Sequence, residues 1–259
     1  MPEFAPGTPS WVELSTKDPD AAAAFYGEVM GWTATEPGPV EETGGYRMFQ
    51  QGGHNVAGLI GLMQEGQPTV WGAYISVADA DAIVDRVRVA GGSVLVGPMD
   101  VMDLGRMAIL ADPSGAVFGI WEPRGFEGAD IVNEPNSLGW FEVLTRDPDA
   151  GLAFYPAVFG WTAGRPSFEG APESYTVWEL DGRPVGGMMT LDDEHFPPGL
   201  PSHWSICFSV ADCDGVVSKA RELGAKVPVE PMDMPIGRFA VLVDPQGASF
   251  TVWEAAPTG

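Results

Sequence analysis

The stretch Trp11 to Trp32, WVELSTKDPDAAAAFYGEVMGW, returns 129 residues later as WFEVLTRDPDAGLAFYPAVFGW, Trp140 to Trp161, in a chain of 259 residues. A repeat at that offset predicts two domains of similar size built on one plan. Residues 1–124 read as the first domain, 125–137 as a linker and 138–259 as the second. The stretch around the linker, PRGFEGADIVNEPNS, carries no apolar period.

Within each copy the pattern is strand, cap, helix. Val12, Leu14 and Thr16 alternate with Trp11, Glu13 and Ser15, which predicts a strand with two distinct faces. Asp18-Pro19 then starts a helix, because the Asp side chain accepts free amides of the first turn and proline is tolerated at N1. Gly31 is placed to end it. In the second copy Pro156 falls inside the corresponding helix and predicts a kink or an early stop. Tyr46 and Tyr175 each open a hairpin, with turns at Gly52-Gly53 and Asp181-Gly182.

A second kind of unit opens at Trp71 and Trp204, where the offset becomes 133, so the second domain carries a four-residue insertion just before it. Asp-capped strand-to-helix starts thus occur four times, at Asp18, Asp79, Asp147 and Asp212. Each unit's sheet has one face for its helix and one left over. Two units satisfy both faces by curling around a shared cavity, which predicts an α+β fold with one cup per domain.

Charge and apolar run length narrow the partners. With 36 acidic and 13 basic residues, a net charge of -23 repels nucleic acid and anionic membrane. No apolar run reaches a membrane-spanning length, and the N-terminal MPEFAPGTPSW has no signal-peptide pattern. Cys207 and Cys213 have no equivalents in the first half, so a shared disulfide is not expected and a cytoplasmic location is.

The segments DPDAAAAFYGEVMGW and DPDAGLAFYPAVFGW, with LADPSGAVFGIWE and LVDPQGASFTVWE at the unit ends, resemble the vicinal oxygen chelate superfamily, the glyoxalase/bleomycin-resistance/dioxygenase group, and its two-domain actinobacterial members in particular. The resemblance implies four βαβββ modules paired into two cups. It also implies metal-ligand positions, and these fall on Trp11, Gly72 and Gly119 in the first domain and on Trp140, Ser205 and Thr251 in the second. None carries an imidazole or a carboxylate, so neither a metal nor any other cofactor is expected.

In that register alternation turns Trp11, Glu13, Ser15, Gly72, Tyr74, Ser76, Val117, Gly119 and Trp121 into the first cup. The second receives Trp140, Glu142, Leu144, Ser205, Cys207, Ser209, Ser249, Thr251 and Trp253. Indoles beside small residues predict either a slot for a flat organic molecule or a cavity filled by the indoles themselves. Glycine beside indole favours open space. The expected ligand contacts are Trp11, Ser15, Tyr74, Trp121, Trp140, Cys207, Thr251 and Trp253.

Glu13 and Glu142 are the candidate acid/base residues, since burial beside indole raises a carboxyl pKa. Hydrogen bonding to a ligand, or pairing with Arg47, Arg106 or Arg238, are the alternatives. His54, His195 and His203 have no ligand spacing, the last two falling in the inserted loop. The main expectation is metal-independent binding of a hydrophobic or aromatic small molecule, of the sequestration or antibiotic-resistance type. The alternative is a metal-free lyase, isomerase or hydroxylase-like enzyme acting on a hydrophobic carbonyl compound. Tyr74 places a hydroxyl near Glu13 and points to the first domain as the working one. Monomer and homodimer both stay open.

Overall fold

The structure, a computed structural model, describes residues 4–166, 172 and 174–256. The first unit comprises β1 (Pro9–Thr16), α1 (Pro19–Met30), the short β2 (Thr33–Ala34), a single turn of helix α2 (Val40–Thr43), β3 (Arg47–Gln51) and β4 (His54–Gly61). The next comprises β5 (Val70–Ser76), α3 (Ala80–Val89), β6 (Ser93–Val101), β7 (Gly105–Ala111) and β8 (Val117–Pro123). The second half repeats the order. It contains β9 (Ser137–Thr145), α4 (Pro148–Phe159), β10 (Thr162–Gly164), β11 (Tyr175–Leu180) and β12 (Arg183–Thr190), then β13 (His203–Ser209), α5 (Cys213–Glu222), β14 (Lys226–Met234), β15 (Gly237–Val243) and β16 (Ser249–Ala255).

Each half is one eight-stranded sheet, ordered β2-β3-β4-β1-β5-β8-β7-β6 and β10-β11-β12-β9-β13-β16-β15-β14. The two βαβββ units of a half therefore join through their first strands. β1 runs antiparallel to β5 and β9 antiparallel to β13.

The helix starts follow the aspartates. Asp18, Asp79, Asp147 and Asp212 accept the amides of Ala21, Ala82, Ala150 and Gly215 at 2.9–3.0 Å. Gly31 and Gly160 end α1 and α4 at φ 68° and 73°, the left-handed region that glycine enters without a Cβ clash. Pro156 does not stop its helix: α4 runs to Phe159 and matches α1 at 12 residues. The carbonyl left without a donor is that of Leu152, a residue 41% exposed, so solvent can take it.

Strand alternation sorts the apolar residues into two regions. Val12, Leu14, Trp71, Ile75, Phe118 and Ile120 of the first sheet share one core with Phe141, Val143, Trp204, Phe208, Phe250 and Val252 of the second. Rings cross between the halves at Trp71–Phe208 (5.0 Å) and Tyr26–Phe250 (5.5 Å). Helices pack across the joint as well, α1 with α5 and α3 with α4. The side of each sheet expected to be served by its own helices is thus closed by the other half too. Residues 124–137 are bonded along their length: the amides of Gly125 and Ala129 donate to Leu104 and Ser10 at 2.9 Å, and Asn55 donates to Asp130 at 2.8 Å.

Candidate functional site

The other face of each sheet is the one that alternation assigns to a cup. On it Glu13 of β1 lies in register between Gly58 of β4 and Gly72 of β5. Glu142 of β9 lies between Gly187 and Ser205 in the same way. Small neighbours on both sides leave room above each carboxyl for a side chain from elsewhere. Tyr46 and Tyr175 occupy it. A Cβ at Gly58 or Gly187 would run into the hydroxyl of Tyr46 or Tyr175, so glycine there is a condition of the arrangement.

The result is the same relay in both cups. Trp11 donates its indole N–H to Tyr46 at 3.0 Å, and Tyr46 hydrogen-bonds Glu13. Trp140 donates to Tyr175 at 2.9 Å, and Tyr175 hydrogen-bonds Glu142. Tyr74 adds a second phenol to Glu13 at 3.3 Å. Cys207 stands at the corresponding place in the second cup and brings no phenol.

Burial holds the pKa of Glu13 above the ordinary carboxyl range, partly offset by hydrogen bonds from Tyr46 and Tyr74. Burial raises Glu142 as well, offset by Tyr175 alone. Tyr46, Tyr74 and Tyr175 are pushed up by burial and then by the neighbouring carboxyl, so they remain donors. The Cys207 thiol is raised by burial and then by Glu142, which keeps it protonated and unsuited to nucleophilic attack.

The arginines weighed as partners of the glutamates are engaged elsewhere. Arg47 pairs with Asp20, Arg106 with Asp81 and Asp100, and Arg238 with Asp214 and Asp233. Phenols take their place at the carboxyls. His195 pairs with Asp192 at 2.9 Å, whereas His203 begins β13 and turns its ring to the carbonyl of Pro201. His54 begins β4 and is exposed. None belongs to a cup relay.

The cups differ in how they are furnished. In the first, Trp11, Tyr74 and Trp121 are 4–7% exposed and cluster with Ala129, with Phe4, Met48, Met107 and Phe126 packed around them. The space beside Gly119 is filled by the ring of Tyr74, not left open. Ser15 is half-buried. In the second cup Trp140, Cys207, Thr251 and Trp253 are each half-buried. The two surface concavities that stand out, about 380 and 270 Å³, lie at the joint between the halves, by Phe25 and Gln246 and by Ile83 and Phe159.

The family's metal fits neither cup. Among the described residues no group of three or more His, Cys, Asp or Glu side chains could hold an ion. Each cup offers one carboxyl, already held by phenol. Tyr46 and Tyr175 were missed as site residues in the sequence, although their signal is there: one tyrosine kept at the repeat offset, opposite a kept glycine.

Comparison with known proteins agrees with this architecture. The sequence matches the Glyoxalase/Bleomycin resistance protein/Dioxygenase superfamily over residues 8–120 and 137–252. It is 43% identical to CFP32 of Mycobacterium tuberculosis, over 98% of this chain and 97% of that one. It is 40% identical to the anthracycline biosynthesis protein DnrV of Streptomyces peucetius, over 98% and 95%. The Mn(II)-bound glyoxalase of Novosphingobium aromaticivorans superposes with a TM-score of 0.64 at 16% identity, covering 96% of this chain and 82% of that one. The 2,3-dioxygenase LapB of a Pseudomonas species gives 0.65 at 12% identity, covering 99% and 94%. These two likenesses concern the fold alone. No described helix is long and apolar enough to cross a membrane. Paired βαβββ units, two repeated eight-stranded sheets and the matched sequence lead to one placement: the chain belongs to the glyoxalase/bleomycin resistance protein/dioxygenase superfamily.

Proposed function

We propose that the chain is a metal-free acid–base enzyme, a lyase or isomerase, acting on a hydrophobic carbonyl compound in a cup. The observation that carries this reading is a half-buried carboxyl set between small residues beneath an indole-backed phenol, in both repeat copies, with burial raising its pKa. Holding a flat ligand needs indole walls; it does not need a buried acid. A carboxyl whose pKa is raised is suited to move protons between carbon and oxygen.

Glu142, or Glu13, as carboxylate removes a proton from the carbon next to the substrate carbonyl, and the electron pair moves to the carbonyl oxygen. The same carboxyl then returns the proton to another carbon, or the pair expels a leaving group. The tyrosine keeps one carboxyl oxygen fixed. For these reaction types proton transfer alone completes the atom balance. The anthracycline biosynthesis named for DnrV and its Streptomyces relative DauV supports a fused-ring ketone as substrate class.

Sequestration without turnover is the second reading, favoured by the half-buried indoles Trp140 and Trp253. Exchange of the protons next to the carbonyl in deuterated water, followed by NMR over a panel of aryl ketones, separates the two. Glu142→Gln or Glu13→Gln should slow exchange by about 100-fold or more. Full exchange in both variants defeats the enzyme reading. Tight binding with no exchange in the native protein leaves the sequestering one.

A further inference from the structure

The first cup contains its own occupant. After β8 the chain turns back, and Phe126 enters the face that alternation assigns to ligand. Its ring stands edge-on to Trp11 with centroids 4.9 Å apart and planes at 87°. Its backbone carbonyl accepts the indole N–H of Trp121 at 2.7 Å. One residue thus presents an aromatic ring and, two carbons away, a carbonyl oxygen, and each meets one indole.

Among the described residues, the second cup presents the same two indoles without such an occupant. Trp140 takes the place of Trp11, and among the described residues no ring lies against it as Phe126 lies against Trp11. Trp253 takes the place of Trp121. Of the four cup indoles, Trp11, Trp121 and Trp140 have acceptors. The Trp253 Nε1 is buried with no partner. The offset of 132 that carries Trp121 onto Trp253 carries Phe126 onto Thr258, which has no ring and lies outside the described residues.

A buried N–H without an acceptor is destabilising, and a ligand that supplies the acceptor recovers that loss. Two neighbouring glycines show how the group becomes reachable. Gly105 faces the Cζ2–Cε2 edge of Trp121, which leaves the nitrogen turned to Phe126, whereas Gly237 faces the nitrogen of Trp253 itself. A slide of the Trp253 indole across Gly237 to the placement seen in Trp121 turns its N–H into the cup. Glycine, having no side chain, permits that slide.

We propose that the second cup binds neutral aryl ketones or amides, with the ring packed on Trp140 and the carbonyl oxygen taking the N–H of Trp253. Neutrality follows from Glu142 beside the site and the net charge of -23, both of which repel a carboxylate. The proposal rests on the reading of the cups as small-molecule sites but does not require turnover. It also moves the working site from the first half, where Tyr74 and Phe126 fill the space, to the second.

Benzylacetone reproduces the spacing of ring and carbonyl in phenylalanine, and butylbenzene lacks only the oxygen. In isotope-edited NMR of the full chain, benzylacetone should shift the indole N–H signal of Trp253, assigned by its loss in Trp253→Phe. It should bind about 5-fold more tightly than butylbenzene, and Trp253→Phe should abolish that difference. A second variant, Phe126→Ala, removes the ring that covers Trp11 and should make the Trp11 signal respond to benzylacetone, as it should not in the native chain. The proposal is overturned by equal binding of the two probes, by no binding of benzylacetone, or by a Trp253 signal that stays still while other cup signals move. Unslowed proton exchange in both Glu13→Gln and Glu142→Gln, with intact benzylacetone binding, would instead defeat only the catalytic reading.

Discussion

Tyr26 of α1 donates its phenol to Asp244 in the other half at 3.1 Å, and Tyr155 of α4 makes the reciprocal bond to Asp112 at 2.8 Å. Each aspartate spends its second oxygen on its own turn: Asp244 accepts the amides of Gln246, Gly247 and Ala248, and Asp112 those of Ser114 and Ala116. Asp112 and Asp244 thus hold their own turns and also join the halves. Tyr26→Phe and Tyr155→Phe each leave a buried carboxyl oxygen without its donor. Each should destabilise the protein by about 1–3 kcal/mol in urea denaturation. Far-UV circular dichroism and tryptophan fluorescence should still report one coincident transition, since the core is shared.

The same continuity bears on fragments. Residues 1–136 expressed alone would leave Trp71, Phe118 and Ile120 without Phe208, Tyr155 and Trp204. The fragment should bind a hydrophobic dye and lack sharp indole signals, and mixing with the complementary fragment should restore them. A monomeric fragment with a cooperative thermal transition would contradict the shared core.

Glu142 has a folded-state pKa above its ordinary 4.5, so above that value the folded chain holds a proton that the unfolded chain releases. Stability then falls as pH rises from about 4.5 to the raised pKa and is flat beyond it. Glu142→Gln removes that slope. The variant should match the native protein near pH 4.5 and be the more stable of the two at pH 8. Asp100 and Asp214, whose pKa values lie below the usual range because of Arg106 and Arg238, act in the opposite sense and only at lower pH.

Gly187→Ala places a methyl group where the Tyr175 hydroxyl sits, and Gly58→Ala does the same to Tyr46. Overpacking of this kind costs about 1–3 kcal/mol. The more specific effect is that the displaced phenol no longer steadies Glu142. Gly187→Ala should abolish the probe-induced tryptophan response of the second cup, while Gly58→Ala leaves it intact.

Metal removal should change nothing. Dialysis against a chelator is expected to leave both the melting temperature and ketone proton exchange within error, because among the described residues each cup has a single carboxyl, with indole, glycine, serine or threonine at the family's ligand positions. Activity that disappears with chelation and returns with one added metal would overturn this.

Much of the fold was legible because its signals are local and doubled: the aspartate caps, the strand alternation and the repeat offset each act within a few residues. The strand face that carries Glu13 and Glu142 was legible for the same reason, since the opposite face is plainly apolar. Tyr46, 33 residues from Glu13 in sequence, was not, because its role depends on Gly58 making room across a strand pairing. Phe126 was hidden in a segment without periodicity, since a chain bonded to sheet edges one amide at a time leaves no pattern. Pro156 did not bring the early stop because the loss of one hydrogen bond is small beside an exposed residue such as Leu152.

The alternation of β5 and β13 has a consequence for how such a chain can diversify. Trp71, Ala73 and Ile75 belong to the joint, and Gly72, Tyr74 and Ser76 do not. A substitution at one of the latter changes a chamber without disturbing the scaffold that both chambers share. Duplication therefore yields two compartments that can drift apart in chemistry while remaining mechanically one body, and Tyr74 against Cys207 records how far they have already parted.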